Sequence, residues 1–240
     1  KHPDTLTSLN NLAIFYSDLG DYNKACELQN AVYNARKEIL GENHPDTLTS
    51  LNNLAIFYSD LGDYNKACEL QNAVYNACKE ILGEKHPDTL TLLNDLANSY
   101  YYLGDYNKAC ELQNVVYNAR KEILGEKHPD TLSALHNLAS SYSSLGDYNK
   151  ACELQNVVYN ARKEILGEKH PDTLTSLNNL AISYSDLGDY NKALEMKNVV
   201  YNACKEILGE KHPDTLSALN GLAISYSYFG DYNKACELQN

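Results

Sequence analysis

The chain has 240 residues, of which 43% are hydrophobic and 22% charged, with 32 acidic and 20 basic side chains. A formal net charge of −12 excludes functions that depend on neutralising phosphates, so neither nucleic acid nor an anionic membrane surface is an expected partner. No apolar run is long enough to span a bilayer, and the chain opens on KHPDTL without a secretory leader. The expected localisation is therefore cytoplasmic.

The dominant feature of the sequence is an internal repeat of 42 residues, which opens with the tripeptide HPD. The first two copies differ at only two positions, Arg36/Cys78 and Asn43/Lys85. We therefore predict a single repeat array over 1–240. Its expected repeats are 2–43, 44–85, 86–127, 128–169, 170–211 and a shortened 212–240.

Each repeat begins with a pattern typical of an amphipathic helix, here called helix A. Pro3 suits the first helical position, and Asp4 places negative charge at the positive end of the helix dipole. Gly20 ends the helix, since glycine adopts the left-handed conformation easily. The apolar residues recur at three- and four-residue spacing and therefore share one face. They are Leu6, Leu9, Leu12, Ala13, Tyr16 and Leu19.

A longer helix, here called helix B, starts at Tyr22 and is closed by Gly41. Because so little chain separates the two helices, they are expected to form an antiparallel hairpin. Neither helix can bury its apolar face alone, so successive hairpins stack into a solenoid. The predicted fold class is all-α, a solenoid of helix-turn-helix repeats. The positions expected to be buried in interior repeats are those of Leu9, Leu12, Tyr16, Ala25, Leu28 and Ile39.

The run LNNLA-x-x-Y-x-x-L-G-D-Y-x-K-A resembles the tetratricopeptide repeat signature. The residues at matching spacings are Leu12, Ala13, Tyr16, Gly20, Tyr22 and Ala25. The 42-residue unit, with HPD before helix A and K-E-I-L-G at the end of helix B, is similar to the repeats of kinesin light chains and related bacterial arrays. This resemblance implies a right-handed superhelix with a concave groove lined by helix A. Where the family has an aromatic in helix B this chain has Gln29, and Tyr16 and Tyr33 are expected to fill the space.

No pattern indicates catalysis, a metal or a cofactor. Every repeated glycine lies at a helix end rather than in a phosphate-binding loop, and no Ser or Cys nucleophile has a base at a distinct position. The HPD histidines lie one per repeat, about 10 Å apart as packed helices are, whereas metal ligands share one coordination sphere. We therefore expect no enzyme activity, no metal site and no cofactor.

Cysteine usage favours a reducing, intracellular compartment, because the total of seven is odd and no CxxC occurs. Five cysteines share one repeat position, where the fifth repeat has Leu194, and are expected in the core. Cys78 and Cys204 stand where other repeats have arginine, such as Arg36, and are expected to be exposed. Both a regulatory thiol at Cys78 and drift at a surface site are compatible with this pattern.

The repeats differ most on helix A, at positions 14, 15, 17 and 18 of the first copy and their equivalents, which we predict face outward. The resemblance maps the concave groove onto this side. There, asparagine amides can satisfy the backbone of an extended peptide, with isoleucines adding apolar contact. The alternative is that Asn11 bonds a neighbouring helix and the rest is a solvated face. The predicted peptide-binding residues are Asn10, Asn11, Ile14, Asn52, Asn53, Ile56, Asn94, Asn98, His136, Asn137, Asn178, Asn179, Ile182, Asn220 and Ile224.

Helix A carries no Lys or Arg in any repeat, which disfavours an acidic ligand. A protein or peptide partner of neutral to basic character is therefore expected. Two function classes remain open: a protein-interaction scaffold that binds an extended segment in the groove, and a structural spacer array without a dedicated ligand. The near-identity of the repeats favours the second, and head-to-tail self-association through uncapped ends is its expected behaviour.

Overall fold

The computed structural model describes residues 2–239, and over this range it contains twelve α-helices and no strand. Each 42-residue repeat supplies two of them, the odd-numbered being helix A and the even-numbered helix B. The bounds are α1 Pro3–Asp18, α2 Tyr22–Leu40, α3 Pro45–Asp60, α4 Tyr64–Leu82, α5 Pro87–Leu103, α6 Tyr106–Leu124, α7 Pro129–Ser144, α8 Tyr148–Leu166, α9 Pro171–Asp186, α10 Tyr190–Leu208, α11 Pro213–Phe229 and α12 Tyr232–Gln239.

The chain forms two compact units, 1–119 and 120–240, with the boundary inside α6. In the first unit, each helix from α1 to α5 packs against the next in sequence. In the second unit, the same holds from α7 to α12. A helix B therefore packs between its own helix A and the helix A of the following repeat. The predicted all-α array of stacked helix pairs is confirmed.

The histidine of each HPD tripeptide is the N-cap of a helix A. His128 has extended backbone angles, and its Nδ1 accepts a hydrogen bond from the Asp130 backbone N–H at 3.2 Å. This bond satisfies one of the amide groups that lack a partner inside the helix. The same bond recurs at the other five histidines over 3.1–3.3 Å. The repeated histidine therefore has a structural role at the helix start.

The connection between helix A and helix B is equally regular. Gly104 has φ +88°, a backbone conformation that side chains with a Cβ rarely adopt. The next residue, Asp105, caps helix B because its Oδ1 accepts the Lys108 backbone N–H at 3.0 Å. These two residue types fix the tight reversal that the short spacing predicted.

Small residues at the helix crossings allow close packing of the core. Ala13 and Ala25 are fully buried and belong to one cluster with Cys26, Leu54 and Phe57. The predicted core positions are confirmed in the interior repeats for the copies of Leu9, Leu12 and Ala25, whereas the copies of Tyr16 and Leu28 are half-buried. The prediction that the Ile39 position is buried is wrong. Its copies in the interior repeats are all exposed at the end of helix B: Ile81, Ile123, Ile165 and Ile207.

Position 15 of helix A does not face outward as predicted. Phe57 is 5% exposed, because it packs against Ala13, Ala25 and Cys26 of the preceding repeat. Phe15, at the same position of the first repeat, is 58% exposed. The serines at this position in the later repeats are buried. Burial here depends on contact between repeats, which the periodicity of one helix does not reveal.

The cysteines divide largely as predicted. Cys26, Cys68, Cys110 and Cys152 are buried, and burial with the nearby Asp105 carboxylate raises the pKa of the Cys68 thiol to about 11. The expectation that Cys236 lies in the core is wrong, since it is exposed on α12, which no further helix A follows within residues 2–239. Cys78 is half-buried. The prediction that Cys204 is exposed is wrong, since it lies in a cluster with Leu174, Leu177 and Val200.

Over residues 2–239, no helix is long and apolar enough to cross a membrane. Within the same range, no three His, Cys, Asp or Glu side chains are grouped so that they can hold a metal ion.

Truncating a core leucine tests the packing. Leu96 is 2% exposed, so Leu96→Ala should lower the free energy of unfolding by about 2 to 5 kcal/mol. Leu19→Ala removes the same atoms from an exposed site and should cost less than about 0.5 kcal/mol. Urea denaturation followed by circular dichroism measures both values. Equal costs for the two variants would contradict the core assignment.

Replacing one capping histidine tests its structural role. His128→Ala removes the acceptor for the Asp130 N–H and should lower the free energy of unfolding by about 1 kcal/mol. His128→Asn supplies another good capping acceptor and should retain most of the stability. If the asparagine variant is no more stable than the alanine variant, the cap is not what the histidine contributes.

Candidate functional site

The outward side of helix A presents a repeated pair of polar and apolar positions. Four isoleucines at one helix position remain about two-fifths exposed: Ile14 40%, Ile56 39%, Ile182 45% and Ile224 44%. The same position holds a half-buried polar residue in the other two repeats, Asn98 and Ser140. This side therefore carries accessible apolar surface on both compact units. We call it the helix A face, defined by the positions of Asn10, Asn11 and Ile14 and their copies.

A buried amide lies beneath the helix A face, and its burial was not predicted from the sequence. Gln29 of helix B is fully buried, and its Nε2 donates to Asn10 Oδ1 at 3.0 Å and to the Ser50 backbone oxygen at 3.1 Å. The expectation that Tyr16 and Tyr33 replace the missing aromatic is therefore incomplete, because Gln29 itself occupies the interior. A buried amide must find hydrogen-bond partners, and Asn10 supplies one.

Hydrogen bonds also link successive helices A. Asn53, at the position of Asn11 in the next repeat, donates its Nδ2 to Asn10 Oδ1 at 3.3 Å. The bond from an asparagine to a neighbouring helix, which the sequence left open as the alternative, is thus present between these two repeats. In the second unit, His136 replaces the first asparagine, and its Nδ1 lies 3.2 Å from Gln155 Oε1 and 3.0 Å from its Nε2.

The predicted asparagines therefore fall into two groups. Asn10 and Asn178 each bond a side chain of helix B. Asn94 and Asn137 are also engaged with other residues. Four others make no side-chain hydrogen bond among residues 2–239, and their amides are available to a ligand. These are Asn11, Asn98, Asn179 and Asn220.

One repeat departs from the amide pattern. Lys197 stands where the other repeats have glutamine, and it is only 8% exposed. Its Nζ donates to Asn178 Oδ1 at 2.6 Å. Gly221, where other repeats have Asn or Asp, leaves room beside it, since a Cβ there would lie 3.5 Å from Nζ. Burial lowers the pKa of Lys197, and no nearby carboxylate opposes this shift.

Lys197 brings a cation close to a face where the sequence predicted none. The prediction considered only helix A, but the ammonium reaches this face from helix B. The signal available in the sequence was the paired exchange of Gln for Lys197 and of Asn for Gly221 in consecutive repeats. A buried position of Gln29 was likewise indicated by an uncharged polar residue that recurs inside the apolar stripe of helix B.

The burial of Lys197 gives a pH-dependent prediction. Because its pKa is lowered in the folded state, the unfolded chain holds this proton more tightly, and the free energy of unfolding rises with pH up to the ordinary value of 10.5. Lys197→Gln restores the residue of the other repeats. It should stabilise the protein at neutral pH, with an advantage that shrinks as the pH approaches 10.5. Urea denaturation at several pH values measures this difference.

The matched control is Lys24→Gln, which removes an exposed lysine paired with Glu27 at 2.8 Å. This pair raises the pKa of Lys24, so its loss should bring no gain in stability at neutral pH. A stabilisation by Lys197→Gln that does not change with pH would contradict the buried ammonium.

Three comparisons relate this geometry to known proteins. The tetratricopeptide repeat family model matches residues 4–67, 46–122, 91–164 and 130–206. A Podospora anserina structure, described as a kinesin light chain with nearly identical TPR-like repeats, is 30% identical. The alignment covers 87% of this chain and 99% of the Podospora chain, with a TM-score of 0.79.

Two more distant structures show likeness of fold alone. BtubC from P. vanneervenii is 20% identical over 91% of this chain and 85% of its own, with a TM-score of 0.67. The apo form of the quorum sensor NprR from B. thuringiensis is 14% identical over 95% of this chain and 62% of its own, with a TM-score of 0.65. No curated protein matches the sequence.

Proposed function

The chain belongs to the tetratricopeptide repeat family, whose arrays generally mediate protein interactions, and we propose that it binds an extended segment of a partner protein on the helix A face. Arrays of this family are generally not enzymes. The observation that carries the proposal is the repeated combination, on one face, of half-exposed isoleucines with asparagine amides that bond no other side chain among residues 2–239. This combination supplies apolar contact area and unused hydrogen-bonding groups together.

The unpaired amides fit the backbone of an extended chain. An asparagine side chain offers two donors and one acceptor oxygen, and an extended peptide presents N–H and C=O groups that are not used internally. Asn179 lies one helical turn from Ile182 on α9, so an amide and an apolar side chain are available side by side. Such contacts give affinity with limited dependence on the sequence of the ligand.

Charge favours a neutral to basic segment in the first unit. The net charge is −12, and helix A has no Lys or Arg, whereas Asp95 replaces asparagine on α5. In the second unit, the Lys197 ammonium lies beneath the face and is held by Asn178. The two units therefore differ in the charge that they offer to a ligand, even though their backbones repeat.

The chain's own variation supplies variants that test this proposal without disturbing the core. Ile182→Ser copies the residue at Ser140, and Asn179→Gly copies Gly221. The double variant should weaken binding of fluorescein-labelled extended peptides, selected from a neutral and basic peptide array, by about tenfold or more. Fluorescence anisotropy measures the affinity, and circular dichroism should show unchanged helicity.

Val199→Ala is the control for this experiment. Val199 is exposed on helix B, and Ala31 occupies the same position in the first repeat. This variant should bind the peptides as the unmodified chain does. An unchanged affinity in the helix A double variant, or an equal loss in Val199→Ala, would place the binding surface elsewhere.

A further inference from the structure

Two cavities lie at equivalent places in the two compact units. The first has a volume of about 460 Å³ and lies open to solvent between α3, α4 and α5, with Leu48, Val74, Cys78 and Asp88 in its lining. The second has a volume of about 310 Å³ and lies between α9, α10 and α11, with Cys204 at the place of Cys78. Both cavities therefore adjoin a cysteine that stands at an arginine position of the repeat.

In the other repeats, an arginine side chain extends into the corresponding space. Arg36 Nη1 donates to the Asp46 backbone oxygen at 3.2 Å and to Ser50 Oγ at 2.8 Å. Arg162 makes the same two contacts in the second unit, with the Asp172 oxygen at 3.4 Å and with Ser176 Oγ at 2.9 Å. Both guanidinium groups are half-buried between helix B and the next helix A.

The exchange of arginine for cysteine removes the side chain and keeps most of the wall that surrounded it. Asp88 lines the first cavity at the position of Asp46, and Asp214 lines the second. Leu92 and Ala218 replace the serine that accepted the second hydrogen bond. Each cavity therefore retains the aspartate that provided the backbone acceptor, beside apolar walls with space for a long side chain.

The Asp88 and Asp214 carboxylates favour a cation with hydrogen-bond donors, and Lys169, which also lines the second cavity, is already paired with Glu206 at 2.5 Å. Burial raises the pKa of the Cys78 thiol, and the Asp88 carboxylate raises it further, so the thiol is neutral at physiological pH. Asp214 acts in the same way on Cys204. In the first cavity, Asn52 is also part of the lining, and its buried Oδ1 accepts no hydrogen bond from residues 2–239. An unused acceptor and a carboxylate both call for a donor.

We propose that each cavity receives an arginine side chain of the bound partner segment, in place of the arginine that the neighbouring repeats supply from their own helix B. The inference rests on the proposed peptide-binding function, because Asn52, which lines the first cavity, is the copy of Asn10 on the helix A face. The arginine stem packs on Leu48 and Val74. The guanidinium meets the aspartate, as its planar donor fork suits carboxylate and carbonyl oxygens.

The decisive probe is N-acetyl-arginine methylamide, which carries the side chain without a peptide. Ligand-observed NMR titration should show binding, and N-acetyl-citrulline methylamide, the uncharged analogue of the same shape, should bind about tenfold more weakly or worse. The double variant Cys78→Arg and Cys204→Arg fills both cavities with the side chain that other repeats carry. It should lose the binding of the arginine probe.

A variant with cysteine in place of arginine tests the proposal even if that double variant does not fold. Arg36→Cys creates a third cavity, with the Asp46 oxygen and Ser50 Oγ left as acceptors, and should add one binding site for the probe. The position of the bound probe is determined by alkylation of the cysteines with iodoacetamide, followed by mass spectrometry. The probe should slow alkylation of Cys78 and Cys204 and leave that of the exposed Cys236 unchanged.

Equal binding of the citrulline analogue, or binding that neither exchange alters, would overturn the arginine assignment. Extended peptides that bind the unmodified chain equally with and without arginine would also overturn it, while the proposed function would stand. Probe binding that follows both exchanges, combined with no binding by any peptide of the array, would support the cavities as arginine sites and overturn the helix A face as a peptide site.

Discussion

The contact between one helix pair and the next is the constraint on which the rest of the structure depends. Phe57 on α3 packs against Ala13, Ala25 and Cys26, so its repeat completes the core of the repeat before it. In an isolated hairpin, helix B has apolar residues on two sides, but only its own helix A is available to cover them. Stacking of successive repeats therefore buries the core, and it also fixes which side of each helix A stays outside.

This stacking explains why polar residues recur in the interior. Gln29 lies where helix B meets two helices A, and its amide bonds Asn10 in its own repeat and the Ser50 backbone oxygen in the next. The asparagines of the helix A face therefore fall into two groups. Some, such as Asn10, bond the buried amide, and others, such as Asn179, make no side-chain hydrogen bond among residues 2–239. Lys197 shows that this network tolerates a change of charge when Gly221 provides the room.

Variation at a single repeat position changes the space between helices without changing the fold. Arg36 reaches across to the following helix A and closes the gap between them. Where Cys78 or Cys204 replaces arginine, the same gap becomes a cavity with an aspartate in its wall. A nearly uniform array thereby acquires two distinct cavities, because a long charged side chain fills space that a thiol cannot fill.

The sequence by itself determined the helix pairs, their turns and their stacking. Proline, glycine and aspartate at fixed places act locally, as at Gly104 and Asp105, and the apolar spacing of a helix is visible along one chain. Only the tertiary structure decided that Phe57 is buried, that Ile81 is exposed, and that Lys197 reaches the helix A face from helix B. These outcomes depend on which residues of the neighbouring repeat pack against each side chain. The periodicity along one helix carries no information about those contacts.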